Sequence, residues 1–441
     1  MKTIVFIETN KSDSSYEAIK AADRMQYYIV LLTDRETLIE NKRLEYPNVH
    51  LIEYCDLSNI DEVKNCINSL LKKDLDIKAI VSFIEPYCHT ASVLAQDFGL
   101  KYFSAEAIST MLNKIESRKA LDGIQEQPCF YEINTLSEKT IEKFPVVLKI
   151  PVSAGSKDVY KVETYEEYED AYHEIRECYP NEPILVEEYL EGSQYLVETV
   201  TINNKTNIVA IIKQEITFTG RFIVTGYQII LDHESELFQS LKEAASVIIS
   251  KFELKNGPCH LEMRYVQNEW KLIEANPRVS GGAINLLIET ACGVNLVEET
   301  LKFALGLEPN FDCKFKKETF LKYLIVPQEG ILIKVTGKNN ALECNGVRHV
   351  YIKPKKCSVI IPPISMSSRY AYIIATGNSA IEAKENAEQG AAQIKFHLSM
   401  IDGSTFCNLS GKERRLINIA RRNKRNIDKI APFFNNFIVK M

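Results

Sequence analysis

Two short segments constrain the fold more than any other part of the chain: Cys259-His260-Leu261-Glu262-Met263-Arg264-Tyr265 and Trp270-Lys271-Leu272-Ile273-Glu274-Ala275-Asn276, separated by a polar break at Val266-Gln267-Asn268-Glu269. Both alternate apolar and polar residues with period two, so together they predict an antiparallel hairpin. Leu261, Met263, Tyr265, Ile273 and Ala275 then face a core, while Glu262, Glu274 and Asn276 share the other face. With Gln267-Asn268-Glu269 as a three-residue loop, Glu262 stands opposite Glu274. Cβ atoms of such a pair lie about 4.5–5.5 Å apart, where like charges destabilise a sheet. Either a solvated face tolerates the repulsion or a cation offsets it. Two carboxylates and an amide oxygen form a hard oxygen site suited to magnesium.

Pro277-Arg278-Val279-Ser280-Gly281-Gly282 follows at once. Arg278 is close enough to reach a transferring phosphoryl group, and the paired glycines let backbone amides approach the same anion. Unit charges 4 Å apart interact by about 4 kcal/mol even at an effective dielectric of 20, so this concentration of charge implies anionic ligands. Phosphoryl transfer asks for little beyond positioning and charge neutralisation.

The remaining chain supplies a scaffold for such a site. Its 441 residues, 45% apolar and 25% charged, suffice for two to four packed domains. A net charge of -6 argues against a nucleic-acid binder. No apolar run is long enough to span a membrane, and the opening Met1-Lys2-Thr3-Ile4-Val5-Phe6-Ile7 reads as a strand, so a cytoplasmic protein is expected. Eleven cysteines without a C-x-x-C pair fit free thiols better than disulfides or zinc.

Over the first hundred residues strands at 3–8, 28–32, 49–53 and 79–84 alternate with helices at 14–24, 59–72 and 90–98, which predicts a parallel sheet with crossover helices. Glu8-Thr9-Asn10-Lys11 after the first strand holds no glycine, which excludes the dinucleotide fingerprint. Glu85 closes the last of these strands and is either a substrate contact or a cap on the next helix; His89 reads as structural.

From about residue 108 the pattern becomes α+β, with helices at 108–120, 164–179 and 235–252 and strands at 144–150, 159–162, 183–189, 194–202 and 208–217. Short strands return between 310 and 400, followed by a helical run over 379–400. The expected organisation is an α/β domain over 1–107, an α+β domain over 108–306, a smaller α+β domain over 307–402 and a basic tail over 403–441. Between Lys412 and Lys429 the tail carries eight Lys and Arg, a docked solvated helix or a surface for an anionic partner.

Glu262, then Glu274-Ala275-Asn276-Pro277-Arg278, then Gly281-Gly282, resembles the metal and phosphate signature of the ATP-grasp superfamily. Within it the chain most resembles the carboxylate-amine ligases that include bacterial L-amino-acid ligases, and the likeness covers about residues 1–400. It implies an N-terminal α/β domain, a central ATP-grasp domain whose two subdomains hold nucleotide, and a C-terminal cap. It also implies ATP and Mg2+, with Mn2+ as a substitute ion, and Glu262, Glu274 and Asn276 as metal ligands.

By the same resemblance Lys149 and Lys114 reach the phosphates, and the loop carrying Ser156 folds over them, with Asp158 where the pattern has glycine. Glu187 accepts from the adenine amino group, Glu188, Tyr189 and Leu190 line the ring edge, and Gln194 replaces an acidic residue near the ribose. Lys213 is a γ-phosphate contact or a solvated strand lysine. Arg278 is catalytic and, with Glu85, His260, Gly281 and Gly282, faces the substrates. The implied reaction joins a carboxylate to an amine, L-amino acids in particular, through an acyl phosphate, in a chain that forms a homodimer as relatives do. The competing readings are a biotin-carboxylating or nucleotide-precursor ligase, or a non-catalytic ATP-binding regulator.

Overall fold

In a computed structural model, residues 1–36, 38, 46–138, 141–152, 159–219 and 221–430 are described, with 404, 408 and 422–430 as backbone only. The chain gathers into two units: Met1–Val152 with Val159–Ile212 and Ile230–Lys316, and Lys213–Ile229 with the chain from Lys317 on.

The first unit opens with β1 (Lys2–Ile7), α1 (Ser14–Arg24), β2 (Tyr28–Thr33), β3 (Leu51–Tyr54), α2 (Ile60–Leu71), β4 (Asp76–Val81) and α3 (Cys88–Asp97). The strands are parallel in the order β3-β2-β1-β4. Ile4 to Ile7 and Ile29 to Leu32 are buried throughout, as strands covered on both faces must be. Asp13 and Asn59 start α1 and α2 by accepting from backbone amides of the first turn. Since β1 and β4 are neighbours, the loops leaving their carboxyl ends flank the crevice where such sheets present ligands. Glu85 begins a single 3-10 turn there, Glu85–Tyr87.

The helix expected at 108–120 is two helices, α4 (Ala105–Leu112) and α5 (Lys114–Ala120). Asn113 breaks them: its backbone is extended, and its side chain accepts from the amides of Ile115 and Glu116. This local capping competes with helix continuation. β5 (Phe130–Ile133), β6 (Val146–Lys149), β7 (Val159–Val162), α6 (Tyr165–Cys178) and β8 (Ile184–Glu188) follow, with strand order β5-β8-β6-β7. Tyr168, Ala171, Tyr172 and Ile175 of α6 pack on this sheet.

Next come β9 (Ser193–Ile202), β10 (Lys205–Phe218), β11 (Phe222–Ile230), α7 (Glu236–Lys251), β12 (Gly257–Val266), β13 (Glu269–Asn276), α8 (Ile284–Cys292) and α9 (Leu296–Ala304). β12 lies antiparallel between β9 and β13. Phe238, Leu241, Ala245, Ile248 and Ile249, at helical spacing along α7, cover one face of these strands. Phe238, Leu241, Ile248 and Ile249 each contribute roughly 1.5–3 kcal/mol by burial, and the opposite face is left for polar groups.

The second unit contains β14 (Glu318–Ile325), β15 (Gly330–Thr336), α10 (Lys338–Glu343), β16 (Val347–Ile352), β17 (Val359–Ile360), β18 (Arg369–Gly377), α11 (Ala380–Gln393), β19 (Lys395–Ser399), α12 (Gly403–Asn408) and α13 (Gly411–Ile430). Its strands run β11-β14-β18-β16 and β17-β15-β19. The helix expected over 379–400 stops at Gln393, because Lys395, Phe396, His397 and Leu398 alternate and pair with β15. The basic tail enters a docked helix: Ile417 and Ala420 are buried against Ile361, and Arg421 forks onto Glu329 at 2.6–3.1 Å. Among the described residues no helix is long and apolar enough to cross a membrane. All eleven cysteines are free.

Candidate active site

The β12–β13 hairpin turns more tightly than the sequence suggests. Val266 pairs with Glu269, so Gln267 and Asn268 alone make the turn, at φ 50° and 67°. Two positive φ values match the right-handed twist of the flanking strands. Pairing continues as Tyr265 with Trp270, Arg264 with Lys271 and Met263 with Leu272. An uninterrupted ladder would next set Glu262 against Ile273. It slips instead: Glu262 pairs with Glu274, Leu261 with Ala275 and His260 with Asn276. Ile273 is thus the extra residue of a β-bulge.

The slip also corrects the expected core face. Leu261, Met263 and Ala275 are buried as anticipated, but Trp270 and Leu272 take the place of Ile273, and Tyr265 is 41% exposed. A one-residue shift moves every side chain on one side of it to the other face.

Glu262 accepts from Gln194 Nε2 at 3.1 Å, and Glu274 lies 2.9 Å from Lys114 Nζ. Burial first, and the charge of Glu274 second, push Glu262 up to about 7. Burial thus disfavours a second full negative charge beside Glu274. With the buried Asn276 two residues beyond Glu274 on β13, this set of oxygen donors would suit a hard divalent cation. Among the described residues no group of three or more His, Cys, Asp or Glu side chains forms an alternative metal centre.

Arg278 turns toward the amino-terminal sheet. Its Nε and one terminal nitrogen donate to Glu85 Oε2 at 3.0 and 2.6 Å. The side chain of Glu85 thus binds an arginine instead of capping a helix. Burial opposes the guanidinium charge, but Glu85 outweighs it and raises the Arg278 pKa. His260 Nδ1 lies 3.1 Å from the Arg278 carbonyl. A carbonyl only accepts, so Nδ1 carries the proton. Burial, then Arg278, push His260 down to about 3 and keep it neutral. This ring, expected to face substrate, supports the Arg278 backbone through Nδ1.

Ser280 Oγ and N donate to the buried Glu198, and the Ser280 carbonyl accepts from Ser14 Oγ at 2.8 Å. The loop after the hairpin is thereby fixed to α1 and β9. Burial pushes Glu198 up to about 7 despite the Ser280 bonds. Gly282 sits at φ 67°, a left-handed position that favours glycine, whereas a Cβ at Gly281 would meet open space.

Lys149 ends β6 as expected, and its Nζ lies 2.5 Å from Glu187 Oε2. The other carboxylate oxygen accepts from Arg118 Nε at 2.5 Å. Burial would raise the Glu187 pKa; Arg118 and Lys149 overcome it and bring it down to about 2. The Glu187 carboxylate, expected at the adenine amino group, is bonded here to two cations.

Other expected contacts are also engaged within the fold. Glu188 accepts from the Cys129 amide at 2.8 Å, the Tyr189 amide donates to Pro145 at 3.1 Å, and the Leu190 carbonyl accepts from Arg264. Gln194 joins Arg264, at 3.0 Å, to Glu262. Lys213 is exposed on β10 in the second unit. Ser156, its loop and Asp158 lie outside the described residues.

Sequence reasoning missed Arg118, Glu198, Arg264 and Ser280. Arg118 had a usable signal, since it follows Lys114 by four residues on one helix and so shares its face. Glu198 did too, as the lone charge in the apolar run Tyr195-Leu196-Val197-Glu198-Thr199-Val200. The partners of Arg264 and Ser280 are set by tertiary packing alone.

Family models match the chain as an ATP-grasp domain over residues 142–286 and as L-amino acid ligase C-terminal domain 2 over residues 322–399. An uncharacterized protein of Sinorhizobium fredii is 22% identical over 410 residues, 90% of this chain and 83% of that one. The chain spans less than two thirds of several other curated relatives; dapdiamide A synthase of Enterobacter agglomerans is 22% identical over 279 residues, 59% of this chain and 64% of that one. The fold is shared with L-amino acid ligase from Bacillus licheniformis at a TM-score of 0.78 and 17% identity, covering 91% of this chain and 99% of that one.

Proposed function

From the matches to an ATP-grasp domain and to L-amino acid ligase C-terminal domain 2, we propose that the chain is an ATP-grasp ligase that joins two L-amino acids through an acyl phosphate, converting ATP to ADP and phosphate. In this reading residues 1–107, 108–306 and 307–402 are the amino-terminal, ATP-grasp and cap domains. The observation that carries it is the bulged register that sets Glu262 against Glu274, with Glu262 pushed up to about 7.

Glu262, Glu274 and Asn276 would hold Mg2+, or Mn2+ in its place, which offsets phosphate charge when bound. Lys149 and Lys114, each resting on a carboxylate at the site, would exchange those partners for phosphate oxygens. Arg278 steadies the phosphoryl group as the substrate carboxylate attacks it. The bond to ADP breaks, an acyl phosphate forms, and a neutral amine then displaces phosphate to give the amide. Glu85 fixes Arg278 and receives the amine substrate. Gly282 lets the loop approach the anion closely, and Glu198, Ser280 and His260 hold that loop rigid. Exclusion of water protects the acyl phosphate from hydrolysis.

The support for amino acids as substrates is the match to L-amino acid ligase C-terminal domain 2, together with the names of the relatives. The test is phosphate release from ATP over pairs of L-amino acids, with mass spectrometry of the products. A pair-dependent release and a product of dipeptide mass are expected. Release stimulated only by bicarbonate, or by no carboxylate and amine at all, would contradict the proposal.

A further inference from the structure

Arg118 is 2% exposed and is joined to groups on two other elements. From α5 its Nε donates to Glu187 on β8 at 2.5 Å, and a terminal nitrogen donates to the carbonyl of Ile273 on β13 at 2.7 Å. Ile273 is the bulge residue, and the bulge is what brings Glu262 opposite Glu274. Glu187 is the residue that holds Lys149. One guanidinium thus touches the support of the carboxylate pair and the support of the strand lysine. Four residues earlier on the same helix, Lys114 contacts Glu274 directly.

We propose that Arg118 is a positioning residue that sets the affinity for a magnesium-nucleotide by two bonds, one pinning the bulge and one sharing the Glu187 charge. This inference rests on the ATP-grasp ligase reading above. Two cations on one buried carboxylate leave a net positive charge, the condition under which Lys149 can transfer to a phosphate without stranding Glu187. If Arg118 were replaced by an apolar residue, Lys149 would be the one counterion left to Glu187 among the described residues, and leaving it would uncover a buried anion. A lysine at this position keeps the charge but lacks the planar fork that reaches two acceptors at once.

The experiment measures Mg-ATP affinity by calorimetry, and KM for ATP and the Mg2+ requirement by phosphate release, on the full-length wild type and the variants R118K, R118M, E187Q and R118M/E187Q. R118M should weaken Mg-ATP binding by roughly 10- to 100-fold, the range seen when a group supporting metal ligands is lost. R118M/E187Q should regain much of that loss, because removing the Glu187 charge frees Lys149 again. R118K should melt close to the wild type yet need more Mg2+. A double variant whose loss is the product of the two single losses would overturn the proposal, as would R118M binding Mg-ATP like the wild type. Should R118M fail to fold, R118K decides: a wild-type Mg2+ requirement overturns the proposal. A wild type that binds no Mg-ATP overturns the ligase reading and this inference together, whereas a binding wild type with uncoupled variants overturns this inference alone.

Discussion

Glu262 and Glu274 face each other across the β12–β13 ladder only because Ile273 is left out of it. A two-residue turn without the bulge would pair Glu262 with Ile273 and put the second carboxylate one step away. The bulge places the two acids in opposition, and burial together with that opposition pushes Glu262 up to about 7. Like charges so opposed cost the sheet stability unless a cation offsets them.

Replacing Glu262 should therefore separate stability from activity. We expect Glu262→Gln to melt at or above the wild-type temperature in metal-free buffer, because it removes one of two opposed acids. Its ATP-dependent phosphate release should fall on the order of 100-fold or more. Scanning calorimetry and a phosphate assay check both halves. Chelation of divalent ions should abolish wild-type release, and added Mg2+ should restore it.

The Glu85–Arg278 pair should behave in the opposite way. Glu85→Ala leaves a mostly buried guanidinium without its carboxylate, which should cost roughly 1–3 kcal/mol of stability and raise the KM for the amine substrate. Arg278→Met should chiefly lower kcat. Denaturant melts and steady-state kinetics of the single and double variants will show the two residues coupled rather than additive.

Glu198 makes the stability of the fold sensitive to pH. Its carboxyl is raised to about 7 in the fold against 4.5 for the free side chain, so the folded state prefers the protonated form. The resulting stability is fully present below about pH 4.5 and is lost as pH rises through about 7. Glu198→Gln cannot ionise and should lose less stability between pH 5 and pH 8, by on the order of 2–3 kcal/mol. Thermal melts across that range, in metal-free buffer, measure the difference.

The turn offers a change that should leave the chemistry alone. Gln267 and Asn268 both hold positive φ, which Asn-Gly adopts with less strain. Gln267→Asn with Asn268→Gly should stabilise the hairpin by roughly 0.5–1 kcal/mol and leave phosphate release unchanged.

Much of this molecule is legible in its sequence because its periods are clean. The parallel strands at the start read as continuous apolar runs, and the opposed glutamates follow from two-residue alternation. The turn and bulge were not legible separately: a three-residue loop gives the same Glu262–Glu274 pairing as a two-residue turn plus one unpaired residue. The pairing of Val266 with Glu269 and the burial of Leu272 in place of Ile273 distinguish them. The break at Asn113 was hidden because a residue that caps one helix also fits within a longer helical pattern. The ties of Glu187 to Arg118 and of Glu198 to Ser280 span 69 and 82 residues and belong to packing, which no local pattern reports.

The most direct measurement is calorimetric titration of ATP into the full-length protein, with Mg2+ and with a chelator, for the wild type and for the Glu262→Gln/Glu274→Gln double variant. Saturable binding that requires Mg2+ in the wild type, and loss of that requirement together with most of the affinity in the double variant, is the expected result. Equal binding by both proteins, or wild-type binding indifferent to Mg2+, would contradict the assignment of these two glutamates to the metal-nucleotide site.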